Sequence, residues 1–256
     1  MKILFVQPIF AHNETTFHLN KKSLLSLIEY IENNNCKNID FVFGGFCSKH
    51  FYWEELIKII DIIDNKLGKN NVGRGDGFIT RYMENVGKAT IVNELSFTYL
   101  QLKNPKYIFT MDSDICFDLN EGDIFKKLIC ASKRMKNNAL ITLNQKENNR
   151  QMIGIGGKSI KYKYKGIEEE IVTEFGDGWC SGGAMFLPTE IWKSVGGYKI
   201  YKSAYAPDDT FLFIKVKSIG YSVCASKTIS VIHPYDLDKE YVILKEETLK
   251  KINLYE

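Results

Sequence analysis

The chain begins with apolar segments that alternate between strand and helix patterns. Residues 2 to 7 form a short apolar run that ends at Pro8, which predicts a buried first strand because a helix would need more residues and disfavours this proline. A loop is predicted over 10 to 16, and leucines and isoleucines then recur at helical spacing from 24 to 31. A second apolar run, 39 to 43, precedes a glycine pair at which the strand is expected to end. This order predicts a β-α-β unit.

The pattern continues with further helices and a central strand. The apolar run 107 to 111 predicts a strand that ends at Asp112. Helices are predicted over 53 to 67, near 86 to 100 and over about 122 to 136. Beyond them the runs become shorter and more β-like, at 139 to 143, 160 to 164 and 169 to 173. The chain is therefore predicted to be one α/β domain, residues 1 to 256, with α+β additions in its second half.

Composition narrows the class of protein. Hydrophobic residues make up 45% of the 256, enough for a large core, and the net charge of +3 argues weakly against nucleic acid as an obligatory partner. The six cysteines show no CxxC pair, so reduced, mostly buried thiols are expected. The first apolar run is too short for a signal peptide or a membrane span, which favours a cytoplasmic protein without a transmembrane segment.

Two carboxylates follow the central strand directly. Asp112 and Asp114 are separated by Ser113, so a turn can aim both carboxylates at one divalent cation. Oxygen ligands of this kind suit Mg²⁺ or Mn²⁺ chelated by a diphosphate, although an isolated Asp-Ser-Asp can also be a solvated turn. Upstream, Gly73-Arg-Gly-Asp-Gly77 offers Arg74 for phosphate oxygens and glycines that let a backbone approach, or else is an ordinary glycine turn.

Motif order gives the chain a family resemblance. The strand ending in Asp112-Ser-Asp114 resembles that of the GT-A glycosyltransferases, notably their family-2-like group, and the glycine loop is also similar to that of mannosylglycerate synthases. The segment 181 to 198, with its glycine pairs before a strand and after a helix, resembles the acceptor side of that group. An acidic pair, Asp208 and Asp209, opening a helix, and a closing strand ending at His233, complete the order.

The resemblance implies a GT-A fold, a mixed central sheet flanked by helices, and roles for these residues. It implies that residues 1–118 bind a UDP- or GDP-linked sugar and that residues 119–256 bind the acceptor. It also implies that Asp112, Asp114 and His233 hold the metal and that Asp209 is the catalytic base, assisted by Asp208. Donor-binding candidates are Pro8, Arg74, Asp76, Gly77, Asp112 and Ser113. The acidic pair departs from the family's usual Glu-Asp, and both residues could instead only cap the helix, just as a histidine at a strand end could be structural.

The function predicted is therefore transfer of a sugar, with a hexose favoured, from a nucleotide-diphosphate sugar to a glycan or small molecule. A modified DNA acceptor is not excluded, and the sequence does not give the sugar, the stereochemical outcome or the oligomeric state. Two alternatives remain: a sugar-phosphate nucleotidylyltransferase, and a non-catalytic module that binds carbohydrate or a cation. The first normally has a glycine-rich loop and a basic residue after its first strand, which this chain lacks.

Overall fold

The computed structural model describes residues 2–67, 79–147, 150–151, 157–175, 181–201 and 208–233. Its strands are β1 Ile3–Ala11, β2 Ile39–Cys47, β3 Ile79–Tyr82, β4 Tyr107–Met111, β5 Cys116–Phe117, β6 Ala139–Glu147, β7 Arg150–Gln151, β8 Ser159–Tyr164, β9 Ile167–Val172, β10 Ala184–Pro188 and β11 Ser222–Ile232. Its helices are α1 Glu14–Asn33, α2 His50–Leu67, α3 Lys88–Leu102, α4 Ile124–Arg134, α5 Thr189–Val195 and α6 Asp208–Ser218, with a 3-10 turn at Leu119–Glu121.

The strands join into one mixed sheet in the order β3-β2-β1-β4-β10-β6-β11-β9-β8. The four strands from β3 to β4 are parallel to one another, and β10 runs antiparallel to both β4 and β6. The predicted α/β class, with a mixed sheet flanked by helices, is confirmed.

Helices cover both faces of the sheet, which explains the unbroken apolar runs in the sequence. Ile3 and Phe5 of β1 belong to one core with α1, α2 and α4, whereas Leu4 and Val6 belong to a second core with α3, α5 and α6. Successive side chains of a strand point to opposite faces, so a strand buried on both sides must be apolar throughout.

Two predicted strand ends were wrong, because β1 and β2 both run past the residues expected to end them. β1 continues through Pro8 to Ala11, and its pairing with β4 stops at Val6. Beyond Val6 the strand has β2 as a neighbour on one side, so a residue without an N–H group is tolerated there. β2 continues through the glycine pair, where a Cβ atom at Gly45 would overlap the backbone of Ile9. These glycines permit close strand contact and do not end the strand.

The loop predicted over 10 to 16 was also wrong at both ends, because only residues 12 and 13 separate β1 from α1. Helix α1 begins at Glu14, where the side chain of Asn13 accepts a hydrogen bond from the amide of Thr16 (2.9 Å) and the Thr16 hydroxyl accepts one from the amide of Asn13 (3.0 Å). This reciprocal cap satisfies amides at the helix start without an apolar residue, so hydrophobic spacing did not reveal it.

The strand directions bring several chain segments to one edge of the sheet. β4, β6 and β11 are parallel to one another, so their carboxyl ends meet at the edge where the antiparallel β10 begins. This edge therefore carries Asp112 after β4, Gly183 before β10 and His233 after β11. Ligand sites in open α/β sheets form at such carboxyl ends.

Candidate functional site

Asp112 is fixed at the end of β4 by its own backbone. Its amide donates a 2.7 Å hydrogen bond to the carbonyl of Gly183, and its carbonyl accepts a 3.4 Å hydrogen bond from Nε2 of the buried Gln7. A Cβ atom at Gly183 would come too close to Nε2 of Gln145 and Cδ1 of Ile115, so these side-chain ends would have to move. Gly183, from the predicted glycine pair, therefore supports Asp112 directly through its backbone carbonyl.

Lys88 connects Asp112 with Asp209, the predicted catalytic base. Its Nζ lies 2.7 Å from Oδ1 of Asp112 and 2.9 Å from Oδ1 of Asp209. Helix α6 is placed so that Asp209 reaches this ammonium group, while Asp208 is 7% exposed at the first position of the helix. We call Asp112, Asp208 and Asp209 the acidic cluster. The fold thus assembles three carboxylates from β4 and α6 around an amine from α3.

The pKa values reflect this crowding. Burial raises the pKa of Asp208 to about 7, with the negative charges of Asp209 and Asp112 adding to the shift and Lys88 opposing it. Burial likewise raises the pKa of Asp112 to about 6 against the attraction of Lys88. Burial acts to lower the pKa of Lys88, but the attraction of Asp112 and Asp209 outweighs it and holds that pKa well above its ordinary value. The site therefore concentrates negative charge, which suits a cation or proton transfer.

Lys88 was missed by the sequence analysis. It is the first residue of α3, and the helix dipole disfavours a cation at that end, so a lysine there indicates nearby carboxylates. Helix α3 is anchored to Tyr198, which follows the second glycine pair, Gly196-Gly197. Asn93 of α3 donates a 2.9 Å hydrogen bond to the carbonyl of Tyr198 and accepts one of 2.9 Å from the amide of Tyr198. Gly197, at φ +72°, makes this possible, since a side chain there would overlap Asn93.

Asp114 lies beside His233, and both residues were predicted to hold the metal. Nε2 of His233 lies 3.5 Å from Oδ2 of Asp114, with side chains 27% and 31% exposed. The contact arises because β5 pairs antiparallel with the end of β11, placing Ile232 opposite Cys116. Two residues 119 positions apart in the sequence thereby meet at the sheet edge.

The remaining predicted donor-binding residues have different positions. Pro8 is a buried residue within β1, between Gln7 and Ile9, and Ser113 is half-buried in the turn between the two aspartates. Arg74, Asp76 and Gly77 lie outside the described residues.

The predicted protein ligands are too few to coordinate a divalent metal alone and would need further ligands from a bound molecule. Over the described ranges, no group of three or more His, Cys, Asp and Glu side chains is arranged to hold a metal ion. Asp112 faces Lys88, whereas Asp114 faces His233. Carboxylate oxygen with imidazole nitrogen is a ligand combination that suits Mn²⁺, and phosphate oxygens of a bound diphosphate would complete the coordination. In the same part of the chain, no helix is long and apolar enough to cross a membrane.

Sequence comparison finds no matching family model and no matching curated protein. Comparison of structures does find similar folds. The S. aureus TarS structure matches with a TM-score of 0.62 and 13% identity, covering 95% of this chain and 38% of that one. A second TarS structure, residues 1–349, matches with a TM-score of 0.59 and 12% identity over 91% of this chain and 60% of that one.

Two further matches carry nucleotides and metal. The mannosyltransferase PcManGT from Pyrobaculum calidifontis, in complex with GDP-Man and Mn²⁺, has a TM-score of 0.57 and 12% identity, covering 90% of this chain and 56% of that one. GalNAc-T7 with UDP, GalNAc and Mn²⁺ has a TM-score of 0.59 and 12% identity, covering 93% of this chain and 44% of that one.

The chain therefore spans between 38% and 60% of the length of these structures. At 12 to 13% identity the likeness establishes the fold alone. The fold predicted from the motif order is confirmed: the chain has the GT-A fold of these glycosyltransferases.

Proposed function

We propose that the protein is a metal-dependent glycosyltransferase that moves a hexose from a UDP- or GDP-linked sugar to a glycan or small-molecule acceptor. The observation that carries the proposal is the meeting of Asp112 from β4 and Asp209 from α6 at one ammonium group, on the carboxyl edge of a GT-A sheet. This edge brings together carboxylates suited to a metal-bound donor and a carboxylate suited to a proton transfer.

On the donor side, Asp112, Asp114 and His233 are assigned to the metal. The metal would supply neutralisation of the negative charge that grows on the nucleotide diphosphate as it leaves. PcManGT in complex with GDP-Man and Mn²⁺ and GalNAc-T7 with UDP, GalNAc and Mn²⁺ support a donor and a cation of these classes. Ser113 and the loop residues Arg74, Asp76 and Gly77 are assigned to donor binding, together with Pro8.

On the acceptor side, Asp209 is assigned as the general base. Its carboxylate would accept the proton of an acceptor hydroxyl while that oxygen forms a bond to the anomeric carbon of the sugar. The bond from that carbon to the diphosphate breaks, and its electron pair leaves with the diphosphate. Asp208, which is buried at the first position of α6 beside Asp209, is assigned a role in support of that base. Such base catalysis is typically worth about 10²- to 10⁴-fold in rate.

The proposal is tested by thermal denaturation with UDP, GDP and CDP, each with and without Mn²⁺. We expect a nucleotide diphosphate to raise the melting temperature together with Mn²⁺ by clearly more than either addition alone. Hydrolysis of the matching nucleotide sugar then checks that the bound donor is turned over. A protein that responds to Mn²⁺ or to free sugar and ignores every nucleotide would be a cation- or carbohydrate-binding module. Formation of a nucleotide sugar from a sugar phosphate and a nucleoside triphosphate would indicate a nucleotidylyltransferase.

A further inference from the structure

Lys88 lies at the junction between the proposed donor and acceptor groups. Its ammonium nitrogen contacts Asp112, the proposed metal ligand, at 2.7 Å and Asp209, the proposed base, at 2.9 Å. Neither of the two roles proposed above, metal binding and base catalysis, includes this lysine. Its contacts nevertheless place a positive charge beside a carboxylate that is proposed to bind a metal ion.

The position of Lys88 is held by packing as well as by charge. Its side chain is 20% exposed, and Nζ lies 5.4 Å from the centre of the ring of Tyr198. Tyr198 is itself buried, and its backbone forms two hydrogen bonds with the side chain of Asn93, which lies on the same helix as Lys88. The ammonium group is therefore confined between the ring and the acidic cluster, although the start of a helix is an unfavourable place for a cation.

We propose that Lys88 is a positioning residue that acts as the resident counter-cation of the acidic cluster and so makes metal binding depend on the donor's diphosphate. This proposal rests on the proposed function of the same site. Lys88 partly neutralises Asp112 and repels a divalent ion approaching that carboxylate. A diphosphate carries the negative charge and the oxygen ligands that offset this repulsion. Metal and nucleotide consequently bind as a pair.

The physical basis is the strength of charge interactions over a few ångströms. The ammonium nitrogen of Lys88 lies 2.7 Å from the carboxylate of Asp112, a distance at which charges near a protein surface interact strongly. This ammonium group therefore substantially lowers the affinity of the carboxylate for a divalent ion. By thermodynamic linkage, a factor by which the nucleotide strengthens Mn²⁺ binding equals the factor by which Mn²⁺ strengthens nucleotide binding. Lys88 is assigned a large share of that coupling factor.

The test is calorimetric titration of Mn²⁺ into the nucleotide-free protein. Lys88→Met keeps an unbranched side chain of similar length and removes the charge. We expect it to bind Mn²⁺ at least about tenfold more tightly than the parent, because the repulsion is lost. The matched control Lys88→Arg keeps a positive charge and is expected to retain the weak nucleotide-free affinity of the parent.

A second titration measures the coupling itself. Mn²⁺ is added in the presence of a saturating nucleotide diphosphate, UDP or GDP, whichever stabilises the parent. We expect the coupling factor between Mn²⁺ and the nucleotide to fall by about tenfold or more in Lys88→Met and to be preserved in Lys88→Arg. A purely structural lysine would not change this factor in a charge-dependent way.

A further pair of variants covers the case in which Lys88→Met does not fold because three carboxylates are left crowded together. Asp209→Asn and Lys88→Met/Asp209→Asn differ only at Lys88, and the double variant has the same net charge as the parent. The double variant is expected to bind nucleotide-free Mn²⁺ at least about tenfold more tightly than Asp209→Asn.

The outcomes separate this proposal from the proposed function. Equal or weaker nucleotide-free Mn²⁺ binding after removal of the ammonium group would overturn the counter-cation role, even if the parent binds nucleotide with Mn²⁺. Tighter binding in Lys88→Arg as well as Lys88→Met would also overturn it, because charge would not be the cause. Tighter binding in Lys88→Met alone supports the counter-cation role. A parent that ignores every nucleotide would then defeat the glycosyltransferase assignment and the dependence of metal binding on a diphosphate, and would leave only the counter-cation role.

Discussion

Gly182 lies directly against the side chain of Asp209, so that a Cβ atom at this position would overlap the carboxylate group. The first glycine pair of the 181 to 198 segment therefore has two separate tasks. The backbone carbonyl of Gly183 accepts a hydrogen bond from the amide of Asp112, and Gly182 leaves room for the side chain of Asp209. The two glycines therefore support the proposed metal ligand and the proposed base from one short segment before β10.

Gly182→Ala is expected to displace Asp209 and lower the transfer rate by at least about 10²-fold, because a shift of about 1 Å in a catalytic group can cost that much. Overpacking should also cost about 1 to 3 kcal/mol of folding free energy. Steady-state kinetics and denaturant unfolding measure the two effects. Gly166→Ala is the control, since Gly166 has φ +85° in the β8–β9 turn with open space around it. Gly166→Ala should lose stability and keep the transfer rate. A Gly182→Ala protein that transfers sugar at the parent's rate would contradict the assignment of Asp209 as the catalytic base.

Asp209→Asn retains the shape of the side chain and removes its ability to accept a proton. If Asp209 is the base, the transfer rate should fall by about 10²- to 10⁴-fold, whereas a lost helix cap alone would cost only about 1 kcal/mol of stability. Rate, donor affinity and melting temperature are measured together. Glu190→Gln, an exposed acid in the first turn of α5, is the matched control and should match the parent. An Asp209→Asn enzyme with unchanged transfer would contradict the assignment, and analysis of the product anomer would show whether the reaction inverts.

Asp114→Ala is expected to reduce Mn²⁺-dependent nucleotide affinity by about tenfold or more while leaving the fold intact. The reason is that Asp114 is 31% exposed at a strand end and supplies a proposed metal ligand. His233→Ala should reduce the same affinity less, since the aspartates and the diphosphate still supply oxygen ligands. Calorimetric titration of UDP or GDP into each variant in the presence of Mn²⁺ gives the nucleotide affinities of Asp114→Ala and His233→Ala. Unchanged affinity in Asp114→Ala would exclude this aspartate from the metal site.

The pKa of Asp208 predicts a pH dependence of stability. Because burial raises its pKa from 3.8 to about 7, the folded protein holds a proton on this group over that range while the unfolded chain releases it. This contribution to stability is fully present below pH 3.8 and is lost as pH rises towards 7. Asp208→Asn cannot ionise, so its melting temperature relative to the parent should be higher at pH 8 than at pH 5. The comparison is made in a chelator to exclude metal; an equal difference at both pH values would contradict it.

Hydrophobic periodicity determined most of the elements of the fold. The run Tyr107–Met111 is both the predicted and the observed β4, because a strand buried on both faces has to be apolar throughout. The helix predicted near 86 to 100 is α3, displaced by two residues at each end. Periodicity failed at Gly45 because the determining contact, the backbone of Ile9, lies on another strand. It failed at Asn13 because the hydrogen bond of its side chain with the amide of Thr16 is polar and leaves no hydrophobic pattern.

By itself the sequence determined the α/β class and the order of its elements, because both follow from hydrophobic pattern. Local pattern and motif order also indicated Asp112, Asp114, Asp209 and His233 as candidates for the chemistry. Only the tertiary structure decided how these residues are paired. The antiparallel contact of β5 with β11 places His233 beside Asp114, and the packing of α3 and α6 against the sheet brings Lys88 between Asp112 and Asp209. Such pairings join residues up to 121 positions apart and depend on strand order and on the room left by Gly182. These are properties of the packed sheet, and no single segment encodes them.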